Sequence, residues 1–177
     1  TLSQYVTSIV DPVATATFGT RYVFGTLDQN EVSMITRLDW TFTPTLSLQL
    51  FLQPLISAGD FSELKQLAEP RTYDFAVYGK DQGTATETPD ETEIDPGDGG
   101  AIFTVPEQDF TVRSLRGNAV LRWEWRSGST LFLVWQQNRE NDSDGGSLRF
   151  DRDVNAVFSG GQARNLLAVK ASYWLSW

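Results

Sequence analysis

The sequence predicts an antiparallel all-β chain, and three observations carry the prediction. Apolar residues recur at every second position through several segments, the period of a strand with one apolar and one polar face. Short turn signals, Pro44-Thr45 and Ser127-Gly128-Ser129, join successive segments of this kind. The last stretch, NLLAVKASYWLSW, alternates in the same way, and its apolar row Leu167, Val169, Ala171, Tyr173, Leu175 ends on the aromatic Trp177.

Taken in order, residues 1–12 (TLSQYVTSIVDP) hold β-formers with poor alternation and read as the end of a strand begun earlier. From Ala14, the residues Ala14, Ala16, Phe18, Tyr22 and Phe24 oppose Thr15, Thr17, Gly19 and Arg21, and Asp28-Gln29-Asn30 predicts a turn. In the segment Glu31 to Thr43, Val32, Met34, Leu38, Trp40 and Phe42 alternate with Ser33, Arg37, Asp39, Thr41 and Thr43. After Pro44-Thr45, Leu46, Leu48, Leu50, Leu52 and Ile56 alternate with Ser47, Gln49, Gln53 and Ser57, which makes a hairpin. Pro54 lies on the apolar row and predicts a bulge or an edge-like position, since it has no N–H to give.

The alternation then stops. Residues 58–109 read as one long acidic loop whose middle, TATETPDETEIDPGDGG, has the composition of a mobile segment, preceded by a short strand within Arg71 to Tyr78. Alternation resumes with Leu115, Ala119, Leu121, Trp123 and Trp125 against Ser114, Arg116, Asn118, Arg122, Glu124 and Arg126. A strand over Thr130 to Asn138 follows, partly apolar on both rows. Residues 139–162 then form a second polar loop, with a further strand expected near Leu148 to Phe158.

Bulk composition narrows the function. A net charge of −9 argues against nucleic-acid binding. With no Cys there is no disulfide framework, thiol nucleophile or Cys-bound metal, and with no His the commonest general base and transition-metal ligand are missing. No apolar run approaches the roughly 20 residues of a spanning helix, which leaves strand-built membrane proteins open because their hydropathy signal is weak. Neither an initiating Met nor a signal peptide is visible, so the chain reads as mature, trimmed or partial.

Within the all-β class, the connections select a membrane barrel over a soluble sandwich. Tight and long reversals alternate, as periplasmic turns and extracellular loops do in up-and-down transmembrane β-barrels of the outer membrane. Beside the tight turns the apolar rows end in Trp40 and Phe42, Trp123 and Trp125, and Tyr173 and Trp177, a set expected at one membrane interface. The opposite rows carry Arg37, Asp39, Gln49, Gln53, Arg116, Arg122, Glu124 and Lys170, which suit a polar lumen. Six strands alternate clearly where single-chain barrels begin at about eight, so the expectation is one outer-membrane barrel region over residues 1–177, the C-terminal part of a larger barrel.

The strings TRLDWTFTPTLSLQLFLQPLISAGDF, PRTYDF and SLRGNAVLRWEWRSGSTLFLVWQQNR, followed by ASYWLSW, together resemble one family. Its members are bacterial outer-membrane proteins of unknown function with an N-terminal carbohydrate-binding-like β-sandwich and a C-terminal β-barrel. The resemblance implies a barrel region whose sandwich is not in this sequence, and it brings no catalytic motif onto these positions.

The resulting expectation is a non-enzymatic segment of a pore, transporter or export channel in the outer membrane of a Gram-negative bacterium. Its partners would be membrane lipid or lipopolysaccharide and a missing N-terminal portion or partner chain. The alternative is a non-conducting anchor or scaffold for a sugar-binding-like domain or partner subunits, and the remotest reading is a carboxylate-based hydrolase. For that hydrolase, Glu91/Glu93 and Asp142/Asp144 are the carboxylate pairs available, in loops without an aromatic platform. No cofactor is expected. Asp90, Glu91, Glu93, Asp95 and Asp98 offer Ca²⁺ the oxygen ligands it takes, as do Asn141, Asp142 and Asp144, but neither spacing completes a binding loop. Arg37/Asp39 and Arg122/Glu124 read as lumenal ion pairs or as a charge-selective eyelet. Arg113, on the apolar row, reads as a cation snorkelling to lipid phosphate or as an unpartnered rim residue.

Overall fold

The computed structural model describes residues 2–175, and the chain is antiparallel all-β apart from a 3₁₀ turn and one helix. Strand β1 (Leu2–Val10) pairs antiparallel with β2 (Thr20–Ser33). The reversal between them uses Asp11, whose carboxylate accepts the Val13 N–H at 3.0 Å, then a 3₁₀ turn Thr15–Thr17 and left-handed residues Phe18 and Gly19. Ala14 to Thr17 are therefore in the turn, and Asp28-Gln29-Asn30 is inside a strand. Both differ from the sequence expectation, because pairing overrides local turn propensity at the second site.

Strand β3 (Thr36–Thr43) follows β2 after the two residues Met34 and Ile35, and pairs with β4 (Leu46–Leu67) across the Pro44-Thr45 turn, Trp40 opposite Leu48. Opposite the β2–β3 break is Pro54, whose carbonyl accepts the Met34 N–H at 3.2 Å. β4 does not stop at Ser57 but runs on to Leu67. The positive φ of Glu63 (48°) shifts the phase of alternation, which is the signature of a bulge.

The segment expected as one acidic loop, 58–109, contains strands. It contains the end of β4, β5 (Phe75–Val77, paired with β4) and a separate three-stranded sheet of β6 (Thr84–Glu87), β7 (Glu91–Asp95) and β8 (Phe103–Pro106). Strands β9 (Phe110–Arg126) and β10 (Ser129–Asp144) follow. The expected strand near Leu148 to Phe158 is instead a helix, α1 (Phe150–Ser159), since Phe150, Val154, Val157 and Phe158 repeat with helical spacing. The second expected loop, 139–162, thus holds the end of β10 and this helix. Strand β11 (Gln162–Ser172) is last, paired antiparallel with β10.

The main sheet has the order β1-β2-β4-β9-β10-β11, with β3 and β5 also paired to β4. Among the described residues it does not close into a barrel. The chain divides into two compact units. The first comprises residues 2–29, 59–110 and 144–147, and its core joins Val23, Tyr78, Ile94 and Val105, with Val6, Ile9, Leu64 and Phe103 packed around them. The small β6–β7–β8 sheet is thereby fixed by Ile94 and Val105 rather than left in solvent. The second comprises residues 30–58, 111–143 and 148–175, and its core is Ile56, Leu115 and Val157, with Leu52, Leu148 and Val154 around them.

Candidate functional site

In the second unit, register fixes which side chains share a face. Leu38 opposes Leu50 and Trp40 opposes Leu48 on one side, while Arg37 opposes Phe51 and Asp39 opposes Gln49 on the other. On β10 and β11, Leu131, Leu133 and Trp135 oppose Ala171, Val169 and Leu167, and Phe132 opposes Lys170. A Cβ placed on Gly117 of β9 would touch Leu52 and the Gln137 Cβ, which puts the β9 row of Leu115, Ala119, Leu121, Trp123 and Trp125 on the same face as the apolar rows of β4 and β10.

That face is uncovered over much of its length. Trp40 is 55% exposed, Trp123 47%, Val169 64% and Leu167 72%. The aromatic set gathers at one end. Trp40 and Phe42 stack with centroids 5.3 Å apart, and Trp123 and Trp125 meet edge to face at 6.5 Å. The Glu124 N–H donates to the Thr45 carbonyl at 2.8 Å, so the two tight turns lie side by side, and the Arg126 guanidinium donates to the Tyr173 hydroxyl at 3.2 Å. The sixth aromatic of the expected set, Trp177, lies outside the described residues.

The opposite face holds the expected polar row. Arg122 and Glu124 form an ion pair at 3.0 Å, and Glu124 also accepts the Gly128 N–H of the turn. Arg37 lies over the Phe51 ring at 5.8 Å and Lys170 over the Phe132 ring at 6.0 Å. Gln49, Asp39, Arg116 and Lys170 are exposed, and Gln53 is half-buried. Aromatic rings among cations give this face flat positions for positive charge, so Phe132, which spoiled the alternation of β10, has a place in it.

Arg113 neither snorkels nor stands alone. It is 5% exposed and donates from Nε and Nη2 to Asp153 Oδ1 on α1, at 2.9 and 2.7 Å, and from Nη1 to Ser143 and Asn141. Asp153, fully buried, also accepts from Arg152 and from the Arg149 N–H at 2.7 Å. Burial opposes its ionisation, but the bonds from Arg152, the Arg149 N–H and Arg113 outweigh it and hold its pKa at about 2. Sequence reasoning missed this fastening, because nothing in the spacing of Arg113 and Asp153 links them before α1 is recognised as a helix.

A second buried network, also unforeseen, lies in the first unit. Arg21, 1% exposed, donates to Asp11 at 2.6 Å, to Gln66 at 2.7 Å and to both oxygens of Asp98 at 2.7 Å. The Tyr78 hydroxyl joins through Gln66 at 2.9 Å, and burial pushes its pKa up to about 12. Asp98 of the acidic run is thus engaged by an arginine. Glu91, Glu93 and Asp95 stand on the exposed side of β7, with Thr86, Thr84 and Thr104 as cross-strand neighbours, while Thr92 and Ile94 turn the other way. Among the described residues no group of three or more His, Cys, Asp or Glu is placed to hold a metal ion.

Comparison of the chain with protein-family models, curated proteins and solved structures finds no match.

Proposed function

We propose that the chain is a strand-contributing segment of a bacterial outer-membrane β-barrel, part of a pore, transporter or export channel. The observation that carries this reading is the uncovered apolar face of the second unit, ended by Trp40, Phe42, Trp123, Trp125 and Tyr173. Water-soluble proteins seldom leave so continuous an apolar surface bare, whereas a membrane strand shows it to lipid and keeps its polar row inside. Within that unit β3 and β11 are the edges of the sheet. An edge cannot face hydrocarbon, which favours further strands beside them and hence a barrel larger than this segment. The row of Arg37, Arg116, Arg122 and Lys170 with Asp39 and Glu124 would then line the lumen.

Tryptophan fluorescence in vesicles tests the reading. Lipids brominated near the acyl carbonyl are expected to quench a Trp135→Phe variant strongly, and those brominated at the chain terminus weakly, because Trp40, Trp123 and Trp125 would sit at one interface while Trp135 stands deeper on the same face. A chain that stays in the aqueous phase without detergent, unquenched by either lipid, overturns the reading. Insertion without any conductance across a planar bilayer would move the role from channel to anchor.

A further inference from the structure

Helix α1 lies across the apolar face of the second unit. Its central residues Val154 and Val157 pack on Ile56, Leu115 and Leu52. Its outer apolar residues do not: Phe150 is 64% exposed and Phe158 49%. Between the helix and the strands runs a groove of about 180 Å³ lined by Met34, Pro54, Ile56, Phe150, Val154 and Phe158. Its floor, Pro54 and Ile56, continues the β4 row of Leu46 to Leu52, so the groove opens onto the surface assigned above to lipid.

The distance of α1 from the aromatic end gives the feature a meaning. On β4 eight residues separate Leu48, the partner of Trp40, from Ile56 under the helix. On β9 eight separate Trp123 from Leu115, and Arg113, which fastens α1, is two further on. At about 3.4 Å per residue these spans are about 27 to 34 Å along the strand. With a tilt of roughly 40° they become about 21 to 26 Å along the membrane normal, close to the ~25 Å apolar band of an outer-membrane barrel. On β4 and β9 the helix therefore falls where the second boundary of the band should be, whereas on β10 and β11 the same face turns polar sooner, at Gln137 and Asn165. Arg149, exposed and next to Phe150, puts a positive charge at the level of lipid phosphates, while Arg152 is engaged by Asp153.

We infer that α1 is an interfacial helix on the lipid-facing side, with Phe150 and Phe158 dipping into the leaflet, and that the groove beneath it takes the acyl chain of a membrane lipid. The inference rests on the barrel reading. The fastening has a purpose on this account: Arg113 and Asp153 hold an amphipathic helix flat against the strands at the headgroup level, where a free ten-residue helix would be marginal.

The chain has no cysteine, so single-cysteine variants of the full chain can carry a nitroxide without background. Phe158→Cys, Met34→Cys, Val169→Cys and Asp151→Cys would be labelled in phosphatidylethanolamine–phosphatidylglycerol vesicles. The measurement is the ratio of collision rates with oxygen, which concentrates in lipid, and with a water-soluble nickel chelate. Severalfold higher ratios at Phe158, Met34 and Val169 than at Asp151 are expected, with Phe158 shallower than Val169. A nickel-accessible Phe158 beside a lipid-exposed Val169 overturns the inference and spares the barrel reading, whereas a nickel-accessible Val169 overturns both. Shielding of Phe158 and Met34 from both agents means that protein, not lipid, fills the groove, and also overturns it. Should Phe158→Cys fail to insert, Phe150→Cys reads the other end of the same edge.

Discussion

Asp153→Ala is expected to destabilise the protein by about 3–5 kcal/mol, the cost of stranding a buried cation by removing its partner. Arg113 would remain at 5% exposure with its Nε and Nη2 donors unmatched, and α1 would lose the contact that holds Val157 on Ile56 and Leu115. Urea unfolding in detergent micelles measures the loss, and hydrogen exchange over α1 shows where it falls. The double replacement Arg113→Met with Asp153→Leu is expected to recover part of it, since replacing the ion pair as a unit leaves no buried charge but still strips the Arg149 N–H and Arg152 of their acceptor. If the double variant is as unstable as the single one, the charge pair is not the fastening. The sign of the pH dependence follows from the lowered pKa. The Asp153 contribution is complete above its ordinary value of 3.8 and is lost as pH falls from there through about 2. Helix α1 should therefore loosen in that acid window in the parent protein and show no such step in the double variant.

The second large effect is expected at Arg21. Arg21→Ala removes the one group that bonds Asp11, Gln66 and Asp98 at once, at a cost of about 3–5 kcal/mol for a cation buried with its partners. The Val13 N–H and the Arg21 guanidinium hold the Asp11 carboxyl below its ordinary range. Burial works against ionisation of Asp98, but Arg21 and the Gly100 N–H still hold it low. Arg21→Lys keeps the charge but offers a single point where the fork reached three acceptors, so it should fall between parent and Arg21→Ala. Asp98→Asn should cost less than either, because the Asp98 side chain is 40% exposed. Proteolysis of the 96–100 loop provides the readout, with cleavage ranked Arg21→Ala, Arg21→Lys, Asp98→Asn, parent. An Arg21→Ala protein as resistant as its parent would show that the network does not hold this loop.

What the sequence disclosed and what it hid have physical reasons. The hairpin through Pro44-Thr45, the turn at Ser127-Gly128 and the polar row of β9 were legible because each strand keeps one register with one face apolar. The continuation of β4 beyond Ser57 was hidden because the bulge at Glu63 breaks the phase, so Phe61, Leu64 and Leu67 no longer fit a period of two. In the acidic stretch alternation was present, Thr92 and Ile94 against Glu91, Glu93 and Asp95. Only Ile94 is apolar there, and an acidic, Pro/Gly-rich composition outweighed it. Helix α1 was hidden for the opposite reason. Its stripe at 150, 154, 157 and 158 is a clear helical repeat, but only ten residues long and set among strands. Of the site, the division of β3, β4 and β9 into an apolar and a polar row was readable, though the partner of Arg113 was not. The Arg21 and Arg113 networks were not, since each depends on a bond between residues 40 or more apart in sequence, to Gln66 and Asp98 in the first and to Asp153 in the second.

The exposed row of β7 has a consequence of another kind. Glu91, Glu93 and Asp95 follow one another at about 7 Å, two residues of strand apart, and their cross-strand neighbours Thr84, Thr86 and Thr104 carry no charge to set against them. Their mutual repulsion is thus moderated by mobile counter-ions, whose screening length is about 8 Å at physiological ionic strength and several times longer in dilute buffer. The small sheet is firmer in a saline medium, and dialysis into pure water would loosen it.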